Sequence, residues 1–472
     1  MFDDSSSRIE RHLRVLAQEA APGEKLPSTR VIASRFGAGP VTVQRALAAL
    51  VAEGVVETRP GLGTFVRART VAARADVDWQ TTALGPVRGD LAAVGTTLRD
   101  VAAGTIEMHQ GYPDEALLPT REVSAAVARA AKDQASRRRP PVSGIPELRR
   151  WFADELSGAG NEVSGPTMSG ASWHESDVLI ASGGQAALAA SFRALAAPGE
   201  TIVMESPTYW GAIGAARAAG LVIVPVPRVD GAPSPDDLDA ALQASGARVF
   251  YAQPSYANPT GDRWTPLQRR EIVHVVTDRR AFLIEDDWAH DFGIDEPVRP
   301  LAASDVNGHV VYIRSLTKSL SLAVRVAAVA ARGPVRRRIE QALAHSDLFV
   351  SPVLQAAALD VVSRPVWPRH RRALTRALGE RRDALLASLA AQGFTVRRPG
   401  GGLHLWVPVG ELGETDARLV TAKALAAGLA ISPGGEWFPA EETAACVRLA
   451  YGAADPARYD EAASILAAAV ER

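Results

Sequence analysis

After Ile106, seven short apolar runs alternate with Ala-, Leu- and Arg-rich stretches of helical period: VLIA, TIVME, LVIVPV, RVFYA, AFLIED, HVVYIRS and VAAVAA. Short, wholly apolar runs suit strands buried on both faces. Their alternation with helices predicts an α/β domain on a largely parallel sheet. Ligands of open sheets bind beyond the carboxyl ends of the strands. The chemically telling residues are therefore expected just after the runs.

Ser182-Gly183-Gly184-Gln185 follows VLIA and opens a helix. Glycines there let backbone N–H groups approach a phosphate, whose charge the helix dipole favours, although a glycine that merely ends a strand reads the same way. Tyr209 follows TIVME in ESPTYW, where a core or surface aromatic is the plainer reading. Asn258 lies in the turn-rich PSYANPTG, and its amide can donate to a phenolate oxygen. Asp286 ends AFLIED, where a carboxylate can keep a pyridine nitrogen protonated. Ser315 ends the run HVVYIRS and Thr317 and Lys318 follow it, with Arg325 further on. A lysine among hydroxyls and an arginine is what a phosphorylated aldehyde requires. Arg448, in VRLAYG, offers a planar fork for a carboxylate.

The scarcity of lysine sharpens this pattern. Among 52 Lys plus Arg only Lys25, Lys132, Lys318 and Lys423 are lysines. Arginine serves any ion pair, but it does not form the imine that an aldehyde cofactor demands.

The first seventy residues read differently. Ile9, Leu13 and Leu16 mark a helix from Ser5 to Ala20, stopped by Pro22-Gly23. Leu26-Pro27-Ser28-Thr29-Arg30 supplies a turn and a cap for a short second helix that ends at Gly37. A third helix opens at Pro40, with Val43, Ala46, Leu47 and Leu50 on one face and Thr42, Gln44 and Arg45 pointing elsewhere. Residues 55–59 and 63–67 form two strands around Pro60-Gly61. Two helices joined by a tight turn, followed by a hairpin, fit a helix-turn-helix with a wing; a three-helix assembly module fits the periodicity as well. Net charge decides little: residues 1–67 carry nine Lys/Arg against seven Asp/Glu, and the whole chain carries −1.

The string LPSTRVIASRFG followed by VTVQRALAALVAEGVVETRPGLGTFV resembles the winged-helix domain of GntR-type regulators. That resemblance implies DNA contacts from Ser28, Arg30, Thr42, Gln44 and Arg45. Gly39-Pro40 departs from it, standing where the family shows a serine and a basic residue.

From about Ile106 onward the chain resembles fold-type I, class I/II aminotransferases, which use pyridoxal 5′-phosphate (PLP). Asn-Pro-Thr-Gly at Asn258, Ile-Glu-Asp-Asp at Asp286 and Ser-Leu-Thr-Lys at Lys318 carry the likeness. By that resemblance Lys318 forms the Schiff base, Asp286 pairs with the ring nitrogen and Asn258 contacts the ring oxygen. Tyr209 stacks on the ring, while Gly183, Gly184, Gln185, Ser315, Thr317 and Arg325 hold the phosphate. Arg448 grips an effector or substrate carboxylate. Three departures bear on activity. Trp288 replaces a ring-oxygen tyrosine, Arg139 stands where a neighbouring subunit lends a phosphate-binding tyrosine, and SLSLAV replaces a Pro-Gly loop before Arg325.

Together the two halves resemble the MocR family of regulators. The implied organisation is residues 1–67 as winged helix, 68–105 as linker and 106–472 as the PLP-binding effector domain. Such a linker spans roughly 30 to 35 Å on average. The resemblance implies a head-to-tail homodimer on double-stranded promoter DNA, with the aminotransferase-like body used as a sensor for PLP or a small amine or amino-acid effector. An aminotransferase with an appended winged helix, and a DNA-binding protein that has lost PLP, are the alternatives. No apolar run spans a bilayer and no leader is evident, so a cytoplasmic location and no membrane partner are expected. The single cysteine, Cys446, is expected to be buried in a strand; it excludes intrachain disulfides and thiolate-rich zinc sites, and no metal is expected.

Overall fold

The computed structural model describes residues 5–67, 79–84, 92–133, 137–163 and 170–471. The chain divides into two compact units, Met1–Pro86 and Val87–Arg472.

In the smaller unit, α1 (Ser5–Glu19) buries Ile9, Leu13 and Ala17, one per helical turn. The Ser28 hydroxyl accepts from the Val31 N–H and so caps α2 (Thr29–Phe36), which Gly37 ends with a φ of 59°. Pro40 is the first residue of α3 (Pro40–Ala52), whose Val43, Ala46, Leu47 and Leu50 are buried. Strands β1 (Val56–Arg59) and β2 (Gly63–Val66) pair antiparallel, with Val56 opposite Val66 closing the core beneath the helices. The expected three helices and hairpin are thus present.

Part of the stretch expected as linker is built into the larger unit. A helix spans Ala92–Thr97, Thr97 is buried, and the Thr96 hydroxyl bonds to Glu436. Weak periodicity hid this, because the helix is short and held by tertiary bonds. Residues 68–78 and 85–91 lie outside the described residues.

The larger unit begins its strands with β3 (Ile106–Glu107), then β4 (Val178–Ala181), β5 (Thr201–Ser206), β6 (Val222–Val229), β7 (Ala232–Pro233), β8 (Val249–Ala252), β9 (Phe282–Asp286), β10 (Val310–Ser315) and β11 (Ala327–Ala330). Eight of them form one sheet in the order β4-β11-β10-β9-β8-β5-β6-β7. Alternate residues of one strand enter different cores, Val178 and Ile180 one, Leu179 and Ala181 another. Both faces are therefore covered over β4, β5, β8, β9, β10 and β11, which explains their apolar runs, whereas β6, towards the sheet edge, buries only Val226. β6, β5, β8, β9 and β10 run parallel, whereas β11 is antiparallel to both β10 and β4. The connection 316–326 is too short for the crossover a parallel return needs.

A second sheet follows, with β12 (His404–Gly410), β13 (Leu429–Ala430), β14 (Ser432–Pro433) and β15 (Ala445–Ala450). β15 lies antiparallel between β12 and β14, while β13 pairs with β3. Cys446 is buried in β15. Among the described residues no helix is long and apolar enough to cross a membrane.

Candidate cofactor and effector site

Because β11 reverses direction, the carboxyl ends of β4, β5, β8, β9 and β10 and the start of β11 all meet at one edge of the large sheet. Gly183 turns the chain from β4 into the helix Gly184–Leu195 with a φ of +89°. A Cβ on Gly183 would lie 2.9 Å from the Arg325 guanidinium carbon, and one on Gly184 would lie 3.6 Å from the Ser315 Cβ. The glycines thus let Arg325 and Ser315 close on a helix N-terminus, a ready anion site. The Ser315 hydroxyl accepts from the Thr317 N–H (3.2 Å), and the Thr317 hydroxyl is buried with no partner among the described residues.

Gln185, expected at the phosphate, stands in the first turn of the same helix. Its carboxamide donates to the Gly211 carbonyl (2.7 Å) and accepts from the Tyr209 hydroxyl (3.1 Å). The side chain is thus a strut for Tyr209.

The Asp286 carboxylate, buried at the end of β9, accepts from the Tyr251 hydroxyl and the Gln253 amide, each at 2.8 Å. Burial raises its pKa, and those two bonds with the nearby Lys318 oppose the rise. Burial, helped by the Arg448 charge, pushes the Lys318 amine down to about 7. Its Nζ lies 4.3 Å from the Trp288 ring centre and 5.9 Å from that of Tyr112.

Arg448, on β15, is fully buried. Its Nη1 donates to Asn258 Oδ1 (3.2 Å) and lies 3.4 Å from His404 Nε2; its Nη2 donates to the His109 carbonyl (2.5 Å). The Trp437 ring lies beneath the guanidinium, 4.7 Å away. Nε has no partner among the described residues, and burial lowers the pKa to about 9. Because Arg448 takes Asn258 Oδ1, the NH2 of that amide is left to donate. The His404 ring is held neutral by burial and by the two cations beside it. A Cβ on Gly111 would lie 3.5 Å from both Arg448 Nη1 and His404 Nε2 and 3.8 Å from Lys318 Nζ. Gly111 is therefore the floor on which amine, imidazole and guanidinium converge.

Tyr112, Tyr251, Gln253, His404 and Trp437 escaped the sequence reading. Tyr251 and Gln253 were legible in principle, since a period of two places both on one side of the chain beside Asp286. His404 and Trp437 come from the second sheet, whose packing no local pattern announces. Among the departures, Trp288 is buried against Lys318 with its indole N–H unpaired among the described residues, and Arg139 is exposed.

In the smaller unit Arg30 and Gln44 are exposed and Thr42 is half-buried at the start of α3. The Ser28 hydroxyl is engaged as the cap of α2. Arg45, expected to be available, donates from Nε to the Ser6 hydroxyl of α1 (3.3 Å).

Residues 107–466 match the family model of aminotransferase class I and II, and residues 6–66 that of bacterial regulatory proteins, gntR family. The chain belongs to the class I and II aminotransferase family, whose members use pyridoxal phosphate, and carries a gntR-family helix-turn-helix head. This is the MocR-type arrangement. It is 26% identical over 438 residues to the uncharacterized HTH-type transcriptional regulator YdfD of Bacillus subtilis (strain 168), covering 91% of this chain and 88% of that one. It is 26% identical over 380 residues to the probable rhizopine catabolism regulatory protein MocR of Rhizobium meliloti, covering 79% and 74%. The crystal structure of LysN, an alpha-aminoadipate aminotransferase from Thermus thermophilus complexed with N-(5′-phosphopyridoxyl)-L-leucine, superposes with a TM-score of 0.71 at 25% identity, covering 84% of this chain and 98% of that one.

Proposed function

We propose that the chain is a cytoplasmic transcription regulator that binds double-stranded promoter DNA as a head-to-tail homodimer, with its DNA affinity set by PLP, alone or with an amine effector, at Lys318. The observation that carries this reading is the convergence of Lys318, His404 and Arg448 on Gly111, with Asp286 buried at the end of β9, in a chain that carries a helix-turn-helix head.

The residues present fit the cofactor. The cradle of Gly183, Gly184, Ser315 and Arg325, with the Thr317 hydroxyl unpaired among the described residues, suits a phosphate dianion. Bound PLP would supply an aldehyde and an electron-withdrawing ring. Lys318 holds an amine that is half neutral near pH 7 and so fit to join that aldehyde. Asp286, oriented by Tyr251 and Gln253, is placed to keep a ring nitrogen protonated. Asn258 offers its NH2 to a ring oxygen, Tyr209 its face to the ring, and Arg448 its Nε edge, unpaired among the described residues, to a carboxylate. An effector acts on the heads only if it binds one arrangement of the dimer better than the other.

Aminotransferase turnover is the second reading, favoured by the intact lysine, aspartate and carboxylate-binding arginine. The test is a comparison of the wild type with Lys318→Ala. A regulator takes up PLP with a visible, borohydride-sensitive absorbance that the variant lacks, and sustains few turnovers with an amino donor and a keto acid. Sustained turnover, with DNA binding indifferent to PLP, supports the enzyme instead. A colourless wild type overturns both readings.

A further inference from the structure

Arg448 is fastened from behind as well as opened toward a ligand. The His109 carbonyl that accepts from its Nη2 also accepts from the Ser432 hydroxyl (3.0 Å). The His109 ring continues the chain of bonds, with Nε2 3.1 Å from the Arg99 carbonyl. A carbonyl only accepts, so the ring proton sits on Nε2. Burial keeps that ring neutral. A second line runs through Trp437 beneath the guanidinium to its neighbour Glu436, whose carboxylate accepts from the Thr96 hydroxyl, 2.6 and 2.5 Å from its two oxygens. Thr97 is buried beside that bond. Residues 96–99 are therefore attached to one arginine from two sides, and in sequence they continue toward the helix-turn-helix unit.

We propose that residues 95–100 form a strap whose order and the grip of Arg448 on a carboxylate are a single coupled equilibrium, so that an effector is felt in the chain leading to the DNA-binding head. The proposal rests on the reading of Arg448 as the carboxylate grip. A carboxylate that draws on Nε must align the guanidinium plane, and that plane fixes the bond to the His109 carbonyl. Linkage makes the effect reciprocal: a ligand that orders the strap is itself held more tightly by an ordered strap.

Hydrogen–deuterium exchange of the PLP-saturated full chain tests the coupling, with glycine as the probe carboxylate. Glycine is expected to slow exchange at amides 95–105 of the wild type. Arg448→Gln and Thr96→Val are each expected to speed it by about tenfold, the loss of one hydrogen bond to a charged group. Thr96→Ser keeps the hydroxyl and should restore the wild-type rate, while the helix Pro266–Asp278 should exchange alike in every chain and so report an intact fold. Strap amides that ignore glycine in the wild type, or that exchange equally in the wild type and Arg448→Gln, overturn the proposal. Visible absorbance on the same samples separates the two ideas: a chain that takes up no PLP ends the proposed function, whereas exchange in Arg448→Gln still decides whether the strap is latched.

Discussion

The Lys318 ammonium faces the Trp288 indole, 4.3 Å from its ring centre. The aromatic face favours the charged amine, against burial and Arg448, which favour the neutral one. Removing the ring should therefore lower the pKa further. A cation–π contact of about 0.5–2 kcal/mol corresponds to a fall of up to about 1.5 at 1.36 kcal/mol per pH unit. In cofactor-free protein, acylation of Lys318 followed by mass spectrometry should rise with pH through about 7 in the wild type and through a lower pH in Trp288→Leu. Equal midpoints would show that the indole does not act on the amine.

Gly183→Ala puts a methyl group 2.9 Å from the Arg325 guanidinium carbon at a φ of +89°. Arg325 must then withdraw from the helix N-terminus. PLP affinity, titrated by visible absorbance, should fall at least about tenfold, the loss of one charge-assisted contact of about 1.5 kcal/mol or more. Unchanged affinity would remove Arg325 from the phosphate cradle.

Glu205, on β5, is fully buried and paired with Arg228, and it also accepts from the Gln253 N–H (2.8 Å) and the Trp264 indole (3.0 Å). Arg228→Met leaves that carboxylate without its cation and should cost about 3–5 kcal/mol in denaturant unfolding. Burial already raises the Glu205 pKa, and losing Arg228 raises it more. The folded variant then holds a proton that the unfolded chain releases above its ordinary carboxylate pKa, so the deficit should grow as pH rises from 5 to 8. A variant equally destabilised at both pH values would contradict that assignment.

Much of this was legible in the sequence, for reasons that differ by element. Six of the seven apolar runs are strands covered on both faces, LVIVPV being the half-exposed β6, and Asn258, Asp286 and Lys318 could be located because strand ends are marked by the runs themselves. The helix Ala92–Thr97 was read as linker, since its stability comes from Glu436, some 340 residues away in sequence. The Gln185 side chain's bonds to Tyr209 and Gly211 were not legible, because nothing local announces those partners. Such long-range polar bonds leave no periodic trace.

Arg30, exposed on α2, is expected to contact a phosphate. Arg30→Ala should weaken binding to every DNA sequence alike and reduce the slope of log affinity against log salt by about one. Fluorescence anisotropy across a salt series measures this. A slope that does not change would remove Arg30 from the DNA interface.

The most direct measurement of PLP-dependent regulation is the affinity of the full chain for the intergenic DNA upstream of its own gene, with and without PLP, in the wild type and in Lys318→Ala. The expected result is specific binding that changes several-fold on adding PLP to the wild type and does not change in the variant. Wild-type binding indifferent to PLP, or an equal response in Lys318→Ala, contradicts the regulator.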